Sequence, residues 1–474
     1  MKLSKTYVHI GIAALILILV KLVIRPEGSL TQAGVDALAV CIPTIYLWIT
    51  VSTTWPSLLA LMLICFTGAY DGIASVSAVS LGNQSVLFTL VCLIFSGMLI
   101  ENGIIGRCAD FFLSRRIARG RPYMFMFMFF LSVTVVVSFL EKNAVMIVTC
   151  ELVRELMAKM GVKEHSEYSN AMYLGTLMVV SIGGNSTPVS HVIPIIMMRM
   201  IPADISLVKW CAAGMLVNAV MLAITMTVIA VVWKPAEKDG LKIGEYKSEM
   251  EPVSSREKLT VASVVIVILL WLIPEFITSG PLSGIISLFD KCGSIGPVVV
   301  GIVILSVVQI GGRPASDINA AIKKVPLRLI VFQCGVFLIS DLTGSESTGI
   351  RGAVYDAIYP HIQNISPFMI LVILVILAVI MTNFTSNVIT AALFAELALA
   401  LFADSGYPMF PVILIISYAV CLAMLTPSAS VQTAIVYDQD NVRLGDVWKY
   451  AFYMVILMLA GILAASLPVM IIYG

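Results

Sequence analysis

Two short polar interruptions occur in each half of an otherwise apolar chain, and they occur in the same order. In the first half, a polar segment at 138–144 is followed by a Gly-, Ser- and Thr-Pro-containing segment at 183–190. In the second half, the corresponding segments lie at 382–388 and 425–433. Asn143 and Asn387 lie 244 positions apart, and Thr187 and Thr426 lie 239 apart. Interrupted apolar segments at corresponding positions of two halves indicate the binding site of a secondary transporter.

The composition is that of an integral membrane protein, with the lipid bilayer as a partner. Hydrophobic residues make up 59% of the chain and charged residues 12%, against about 25% charged in a soluble domain. The clearest apolar runs, which approach the roughly 20 residues of a spanning helix, are 8–24, 86–100, 211–233, 259–273, 297–310, 367–381 and 451–473. The chain has no basic patch of the nucleic-acid type. The nine cysteines lack metal-ligand spacing, so no metal site is expected.

The basic residues predict the orientation of the chain. They cluster before the first apolar run and at 107–121, 234–258 and 323–328. With all four stretches in the cytoplasm, the N-terminus is cytoplasmic, about 11 helices cross the membrane, and the C-terminus lies outside. Two further segments enter and leave on the same side as re-entrant hairpins. We expect the membrane to be a bacterial inner membrane.

The charged segment 235–257 predicts a cytoplasmic linker between two halves, 1–234 and 258–474. If the first apolar run is an extra helix, the second half starts on the opposite side of the membrane from the first. A further repeated feature supports a duplication, because residues 95–103 resemble residues 333–341 in their position before the tip and in their pattern of a Gly followed by apolar and then polar residues. The predicted fold is an all-α polytopic inverted repeat with one re-entrant hairpin and one interrupted helix in each half.

The polar tips adjoin apolar segments and are expected to lie within the bilayer. Irregular backbone at that depth is tolerated only where it is buried in protein or lines a water-filled cavity. The helix that begins after each tip directs its positive dipole end to the same place. Pro188 and Pro427 break the later helices because each removes a backbone hydrogen bond. Meeting in mid-membrane, these elements would form one anion site; the alternative is ordinary helix kinks with buried Asn caps.

At these residues the chain resembles the divalent anion/sodium symporter family, the dicarboxylate, citrate and sulfate carriers of the wider ion-transporter superfamily. That family carries Ser-Asn-Thr at each hairpin tip and a Gly/Pro-rich break in a later helix of each half. Here the second tip, 386–388, reads Ser-Asn-Val, whereas the first, 142–144, reads Lys-Asn-Ala. Segment 183–188 is similar to the Gly-Gly-x-Gly-Thr-Pro of the family, and segment 426–430 shares the opening Thr-Pro.

The resemblance implies a homodimer whose mobile transport domain moves as an elevator against a fixed scaffold. It also implies that tip Ser and Asn residues coordinate sodium and that Asn and Thr contact substrate carboxylates. The expected substrate-binding residues are Lys142, Asn143, Ser186, Thr187, Ser386, Asn387, Ser428 and Ser430. The expected cation-binding or cation-substituting residues are Ser138, Lys142, Asn143, Thr382, Thr385 and Asn387. No cofactor is expected except, at most, one sodium ion at the second tip. Both tip Thr positions are apolar here, Ala144 and Val388, which argues against a standard dicarboxylate pose.

Ionisable residues at the first tip are functional candidates, since burying one unpaired in a membrane costs roughly several kcal/mol. The Lys142 ammonium can take the place of sodium or bind a substrate carboxylate directly. Glu141 is its counter-ion or a proton-coupling residue, and His191 is a second proton-coupling candidate. The alternatives are a solvated Glu141–Lys142 pair near the cytoplasmic surface and a His191 that is hydrogen-bonded in the core. Glu151 and Glu396 are expected at the cytoplasmic and outer surfaces.

The sequence therefore predicts a secondary active transporter of small organic anions, with di- or tricarboxylates as substrates. It would work by elevator-type alternating access, as an exchanger or a proton-coupled carrier. The alternatives are a sodium-coupled dicarboxylate or sulfate symporter, and a cation/proton antiporter or oxyanion carrier of the same superfamily. An enzyme is not expected, because the chain has no His-Glu-x-x-His motif, no nucleophile elbow and no intramembrane Asp pair.

Overall fold

The computed structural model describes residues 5–201, 205–241, 251–276, 291–402, 405–426, 429–439, 442 and 444–473. Within these ranges the regular structure is helical, apart from a ribbon in which β1 (Gln309–Ile310) pairs antiparallel with β2 (Arg313–Pro314). Six helices of this part are long and apolar enough to cross a membrane, and six shorter apolar helices accompany them. The prediction of an all-α membrane protein is confirmed, while the number of crossings stays a prediction.

The helices follow the predicted apolar runs. Those before the linker are α1 (Lys5–Val23), α2 (Gln32–Thr50), α3 (Thr54–Ile64), α4 (Ile73–Val79), α5 (Gln84–Glu101), α6 (Ile104–Leu113), α7 (Pro122–Val137), α8 (Lys142–Lys159), α9 (Glu167–Gly183), α10 (Val192–Met200) and α11 (Leu207–Thr227), which continues as a π-helical turn, Val228–Trp233. The linker begins with α12 (Pro235–Lys238). Those that follow are α13 (Ser255–Phe276), α14 (Ile295–Val307), α15 (Ile318–Lys323), α16 (Leu327–Gly344), α17 (Ile350–Ile362), α18 (Pro367–Thr382), α19 (Asn387–Phe402), α20 (Met409–Ala419), α21 (Val431–Tyr437) and α22 (Leu444–Tyr473).

Both predicted helix interruptions are present. α9 ends at Gly183 and α10 begins at Val192; α20 ends at Ala419 and α21 begins at Val431. His191 and Ser430 are the N-caps of the resumed helices, because the side chain of each accepts a hydrogen bond from a backbone N–H of the first turn. Two residues of the second interruption, 427 and 428, lie outside the described part of the chain. The first turn of each resumed helix is thus capped by a side chain next to it.

Both predicted hairpin tips are short turns between apolar helices. Residues 138–141 join α7 to α8, and residues 383–386 join α18 to α19. Three of these four helices have 16 residues, a length of about 24 Å, which is short of the roughly 30 Å hydrocarbon core. Helices of this length support hairpins that turn back inside the membrane.

Helices of each half pack against helices of the other half. α8 packs against α9 of its own half and α21 of the other, and α19 packs against α20 of its own half and α10 of the other. In the same way, α3 packs against α16 and α14 packs against α5. Corresponding elements therefore make corresponding contacts, which supports a duplicated chain. The division at 235–257 and the opposite sense of the halves in the membrane stay predictions.

Three of the four basic stretches, 107–121, 234–258 and 323–328, lie at one end of the molecule, where residues of each take part in ion pairs. Arg107 Nη2 lies 2.7 Å from Glu257 Oε1, and Arg107 Nη1 donates to the Glu251 carbonyl over 2.8 Å. Lys324 Nζ lies 3.8 Å from Glu101 Oε2 at the end of α5. We call this end the linker face. Its exposure to the cytoplasm stays a prediction.

The acidic residue Glu396 does not lie where the sequence reasoning expected it. Glu151 is exposed and pairs with Arg154, as expected of a surface residue. The Glu396 side chain is only 16% exposed. It accepts a hydrogen bond of 2.6 Å from Ser340 Oγ and lies 3.4 Å from Arg351 Nη2. The expectation of an outer-surface carboxylate was wrong because α16 and α17 cover this side of α19.

Candidate functional site

Hydrogen bonds attach the first hairpin tip to the first interruption. Ser186 Oγ donates to Ser138 Oγ over 2.9 Å, and Thr187 Oγ1 donates to the Ser138 carbonyl. The Lys142 backbone N–H donates to the Ser190 carbonyl over 3.3 Å. Ser138, Ser186 and Thr187 are all buried. These three hydroxyls therefore hold the irregular backbone together, and in this conformation they are engaged with protein groups.

Glu141 caps the N-terminus of α8 and engages the side chain of Asn143. Its Oε2 accepts from the Ala144 N–H over 2.9 Å, and its Oε1 accepts from Asn143 Nδ2 over 2.6 Å. The other end of the Asn143 amide, Oδ1, accepts a bond of 2.7 Å from Gln432 Nε2 in α21. Both polar groups of Asn143 thus have protein partners. The Gln432 donor occupies one of the two acceptor positions of Asn143 Oδ1.

Lys142 is buried beside the first interruption, with 2% of its surface exposed. Its stem lies against Gly184, where a Cβ would come within 3.1 Å of Lys142 Cβ and Cδ. Among the described residues, no oxygen accepts a hydrogen bond from the Lys142 ammonium and no carboxylate forms an ion pair with it. A solvated pair with Glu141 does not fit this burial. The first tip therefore holds a buried lysine side chain that makes no hydrogen bond or ion pair in the described structure, although Glu141 acts on it electrostatically.

The two proton-coupling candidates face the same small cavity. Glu141 and His191 line a space of about 10 Å³ together with Ser190 and Thr89, which is room for about one water molecule. His191 Nδ1 also accepts a bond of 3.3 Å from the Ile193 N–H. The structure thus brings Glu141 and His191 to one small cavity, the rest of whose lining is largely apolar.

At the second tip, three oxygens converge. Thr382 Oγ1 lies 2.8 Å from the Val420 carbonyl and 3.2 Å from Asn387 Oδ1. Oxygen atoms of this kind suit a hard cation such as sodium. Thr385 is directed elsewhere, since its Oγ1 lies 2.8 Å from Thr390 Oγ1. Of the expected cation ligands in the second half, the structure thus brings together Thr382 and Asn387 but not Thr385.

The remaining expected residues take several positions. The Ser386 carbonyl accepts from the Thr390 N–H over 3.0 Å in the first turn of α19. Ser430 Oγ lies 2.7 Å from Thr433 Oγ1, within the cap of α21. Ser428 lies outside the described residues. In the described structure, no hydrogen bond joins Asn143 to Asn387, and the first tip reaches α21 instead.

Sequence reasoning missed Asn383, which attaches the second tip to the second interruption. Its Nδ2 donates to the Leu422 carbonyl over 3.1 Å. Its Oδ1 accepts from the N–H groups of Met424 and Leu425 over 3.1 and 2.8 Å. Its backbone carbonyl accepts from Thr426 Oγ1 over 2.5 Å. The available signal was a second Asn within the tip itself.

Two further missed residues connect the halves across the site. Asn185 Nδ2 donates to Ser417 Oγ over 2.7 Å, and both residues are fully buried. Gln432 is the donor to Asn143 described above. Gln432 belongs to no recognisable motif, and Asn185 stands at the variable position of segment 183–188, so only the spatial pairing identifies them.

Replacing Gln432 with leucine is expected to lower transport at least tenfold. The change removes a hydrogen bond to the part-buried Asn143 Oδ1, at a cost of about 0.5–1.5 kcal/mol. The initial uptake rate in proteoliposomes and the unfolding temperature in detergent measure the two effects. The matched control is Gln439→Leu, because Gln439 Nε2 donates only to the Ile435 carbonyl near the end of α21. Equal losses in both variants would contradict a specific role for Gln432.

Comparisons with known proteins identify the family. Residues 44–420, most of the chain, match the citrate transporter family. Over 150 residues, 31% of this chain, the sequence is 32% identical to solute carrier family 13 member 2 of Rattus norvegicus and 30% identical to that of Mus musculus. The match spans 24% of the length of each of these relatives.

Two solved structures have a similar fold. One is the YdaH transporter of Alcanivorax borkumensis, with a TM-score of 0.63 and 10% identity over 93% of this chain and 98% of that chain. The other is MtrF of Neisseria gonorrhoeae, with a TM-score of 0.55 and 13% identity over 97% of this chain and 98% of that chain. The family match confirms the predicted relationship to the divalent anion carriers and the prediction that the protein is not an enzyme. The chain belongs to the citrate transporter family.

Proposed function

We propose that this protein is a secondary active carrier of di- or tricarboxylates that works by elevator-type alternating access. Family membership supports the substrate class. The single observation that carries the proposal is the buried Lys142 ammonium, which makes no hydrogen bond or ion pair with the described residues. An unpaired buried charge is costly. A substrate carboxylate bound there would compensate the cost and give the lysine its function.

The free donors at the two tips define the substrate contacts of the proposal. Asn387 uses its Oδ1 to accept from Thr382, whereas its NH₂ group has no partner among the described residues. The Lys142 ammonium and the Asn387 NH₂ group are both donors, which is what a carboxylate requires. α8 and α19 begin at the tips, and their positive ends add to this preference. Ser186, Thr187 and Ser138 act in this proposal by holding the backbone.

Transport is proposed to be independent of sodium at the first tip, as an exchanger or a proton-coupled carrier. Lys142 stands where the family has a small Ser, and Asn143 is engaged by Glu141 and Gln432. Glu141 and His191 would carry the proton in a coupled carrier. A sodium-coupled symporter is the second candidate, because the oxygens of Thr382, Asn387 and Val420 converge. The proposal includes the homodimer and the bacterial inner membrane, with the N-terminus cytoplasmic.

A ligand screen on the purified protein tests the substrate class. Mono-, di- and tricarboxylates and sulfate are compared by thermal unfolding, with and without sodium. A ligand that binds only the folded state stabilises it by about 2.7 kcal/mol at 100 times its dissociation constant. We expect stabilisation by di- or tricarboxylates without sodium. Stabilisation by sulfate alone would favour an oxyanion carrier, and stabilisation by no anion would contradict the proposal.

Asn387→Ala is expected to abolish carboxylate uptake with little loss of stability. The substitution removes the free NH₂ donor, while Thr382 keeps the Val420 carbonyl as its acceptor, so the cost to folding is about 1 kcal/mol or less. Uptake into proteoliposomes and the unfolding temperature are the measurements. Asn319→Ala, at an exposed Asn, is the matched control. Wild-type uptake by the Asn387 variant would remove the second tip from the site.

A further inference from the structure

A cavity of about 280 Å³ opens on the side of the protein opposite the linker face. α11 begins at this cavity with Leu207 and its helical continuation ends at Trp233, directly before the linker. The wall of the cavity includes Ser85 of α5 and Ser294 beside α14. It also includes Pro188 of the first interruption. The cavity thus extends from the surface to the segment that holds the first hairpin tip.

The 280 Å³ cavity adjoins the 10 Å³ cavity at the first tip. Ile195 of α10 lines both the 280 Å³ cavity and the 10 Å³ cavity beside Glu141, Ser190 and His191. Ile195 is buried. Ile195 therefore belongs to the wall between the 280 Å³ cavity and the small cavity at the tip.

Among the described residues, the lining of the 280 Å³ cavity carries one charged side chain, and it is positive. Arg199, in the last turn of α10, is exposed, and it is the charged residue among those that line the cavity in the described structure. A second cavity, of about 330 Å³, lies on the other side of Gln84 and Ser85, and Arg199 lines this one too. Asp341 in that second cavity forms a hydrogen bond of 2.6 Å with Tyr70 Oη and no ion pair with Arg199 within the described residues.

Helix ends add to the charge of Arg199. α5, α11 and α14 all begin at the wall of the 280 Å³ cavity, with Gln84, Leu207 and Ile295. The positive ends of helix dipoles raise the local potential within about one turn of each start. Charged walls of a confined cavity concentrate ligands of the opposite sign and speed their association.

We infer that this cavity is the outer entrance through which the anion reaches the first hairpin tip, and that Arg199 is the residue that attracts it. The inference rests on the proposed anion transport and goes beyond it, because it assigns a route and a specificity residue outside the two tips. Arg199 acts on substrate arrival and not on the binding site itself.

Arg199→Gln is expected to raise the KM for a divalent anion about fivefold when the anion is supplied at the outer face, with the maximal rate unchanged. One charge a few ångström away in a water-filled space has an effect of this order. The effect should shrink at high ionic strength, and Arg199→Lys should restore the wild-type KM. Arg154→Gln, at an exposed Arg of α8 paired with Glu151, is the control. An unchanged outer KM in Arg199→Gln overturns the inference.

Native Cys292 permits a test that does not depend on transport. It is the exposed cysteine among the nine, all of which lie in the described structure, and it stands two residues before Ser294. We expect a negatively charged impermeant thiosulfonate to modify Cys292 faster than a positively charged one, and we expect the ratio of rates to fall several-fold in Arg199→Gln. If the ratio of the two modification rates is the same in the wild type and in Arg199→Gln, the cavity is not the entrance for the anion. If the ratio does depend on Arg199 but the protein transports no carboxylate, the proposed function is contradicted and the inference about the entrance is not.

Discussion

Serine in place of Lys142 is expected to make carboxylate exchange dependent on sodium. The change removes the buried ammonium and restores the small hydroxyl that the family has at the first tip. It also empties the space beside Gly184 that the lysine stem occupies. We expect wild-type counterflow to persist in sodium-free, choline-balanced buffer. In the serine variant, we expect counterflow to fall at least tenfold without sodium, which corresponds to about 1.4 kcal/mol, and to recover when sodium is added.

Lys142→Met is the control for this experiment, because it keeps most of the side-chain volume and removes the charge. The methionine variant should lose exchange, and sodium should not rescue it. If wild-type exchange disappears in choline buffer and returns with sodium, then Lys142 does not replace the ion. In that case the oxygens of Thr382, Asn387 and Val420 would identify the coupling site, and the protein would be a symporter.

The second large effect is expected at Asn383, where alanine should abolish transport and lower the free energy of unfolding by about 1–3 kcal/mol. Alanine would leave the Leu425 N–H without its partner, while the Met424 N–H and the Leu422 carbonyl would keep the 3.1 Å bond that joins them. Each buried polar group left unsatisfied costs about 1–3 kcal/mol. Uptake and denaturant unfolding in detergent measure the two losses.

Asn383→Asp provides a graded control, because the carboxylate keeps the two acceptor contacts and loses the donor to Leu422. It should retain more stability than the alanine variant. If the alanine variant unfolds at the wild-type temperature, then the hydrogen bonds of Asn383 do not hold the interruption. If it is destabilised but transports normally, then the interruption does not need a fixed backbone for transport.

The order of elements could be predicted from the sequence because its signals are local. Pro188 and the Gly-Gly before it mark a break without reference to any other part of the chain. Three of the four helices of the hairpins follow from apolar runs of limited length, and the fourth, α8, is apolar only in its first half. The two Asn residues were recognisable as a pair because they recur at nearly constant spacing.

The contacts within the site could not be predicted, because a helix that is apolar on all sides does not show which face meets which neighbour. Nothing in the sequence around Gln432 marks it as unusual, and only the packing of α21 against α8 brings it to Asn143. Glu396 was predicted to lie at the surface, whereas in the structure it contacts Arg351 and Ser340 and is largely covered. Lys142 was identified as unusual from the sequence, but its lack of a hydrogen bond or ion pair in the described structure is a property of the fold.

The bond between Asn143 and Gln432 has a consequence for biosynthesis, since 289 positions separate the two residues. At about 5–20 residues per second, a ribosome takes roughly 15–60 s to cover that distance. During this time the first hairpin is already made, but α21 does not yet exist. The insertion machinery or a chaperone would have to shelter the nascent first half. A polypeptide released before α21 emerges would carry an incomplete tip and become a natural target for membrane proteases.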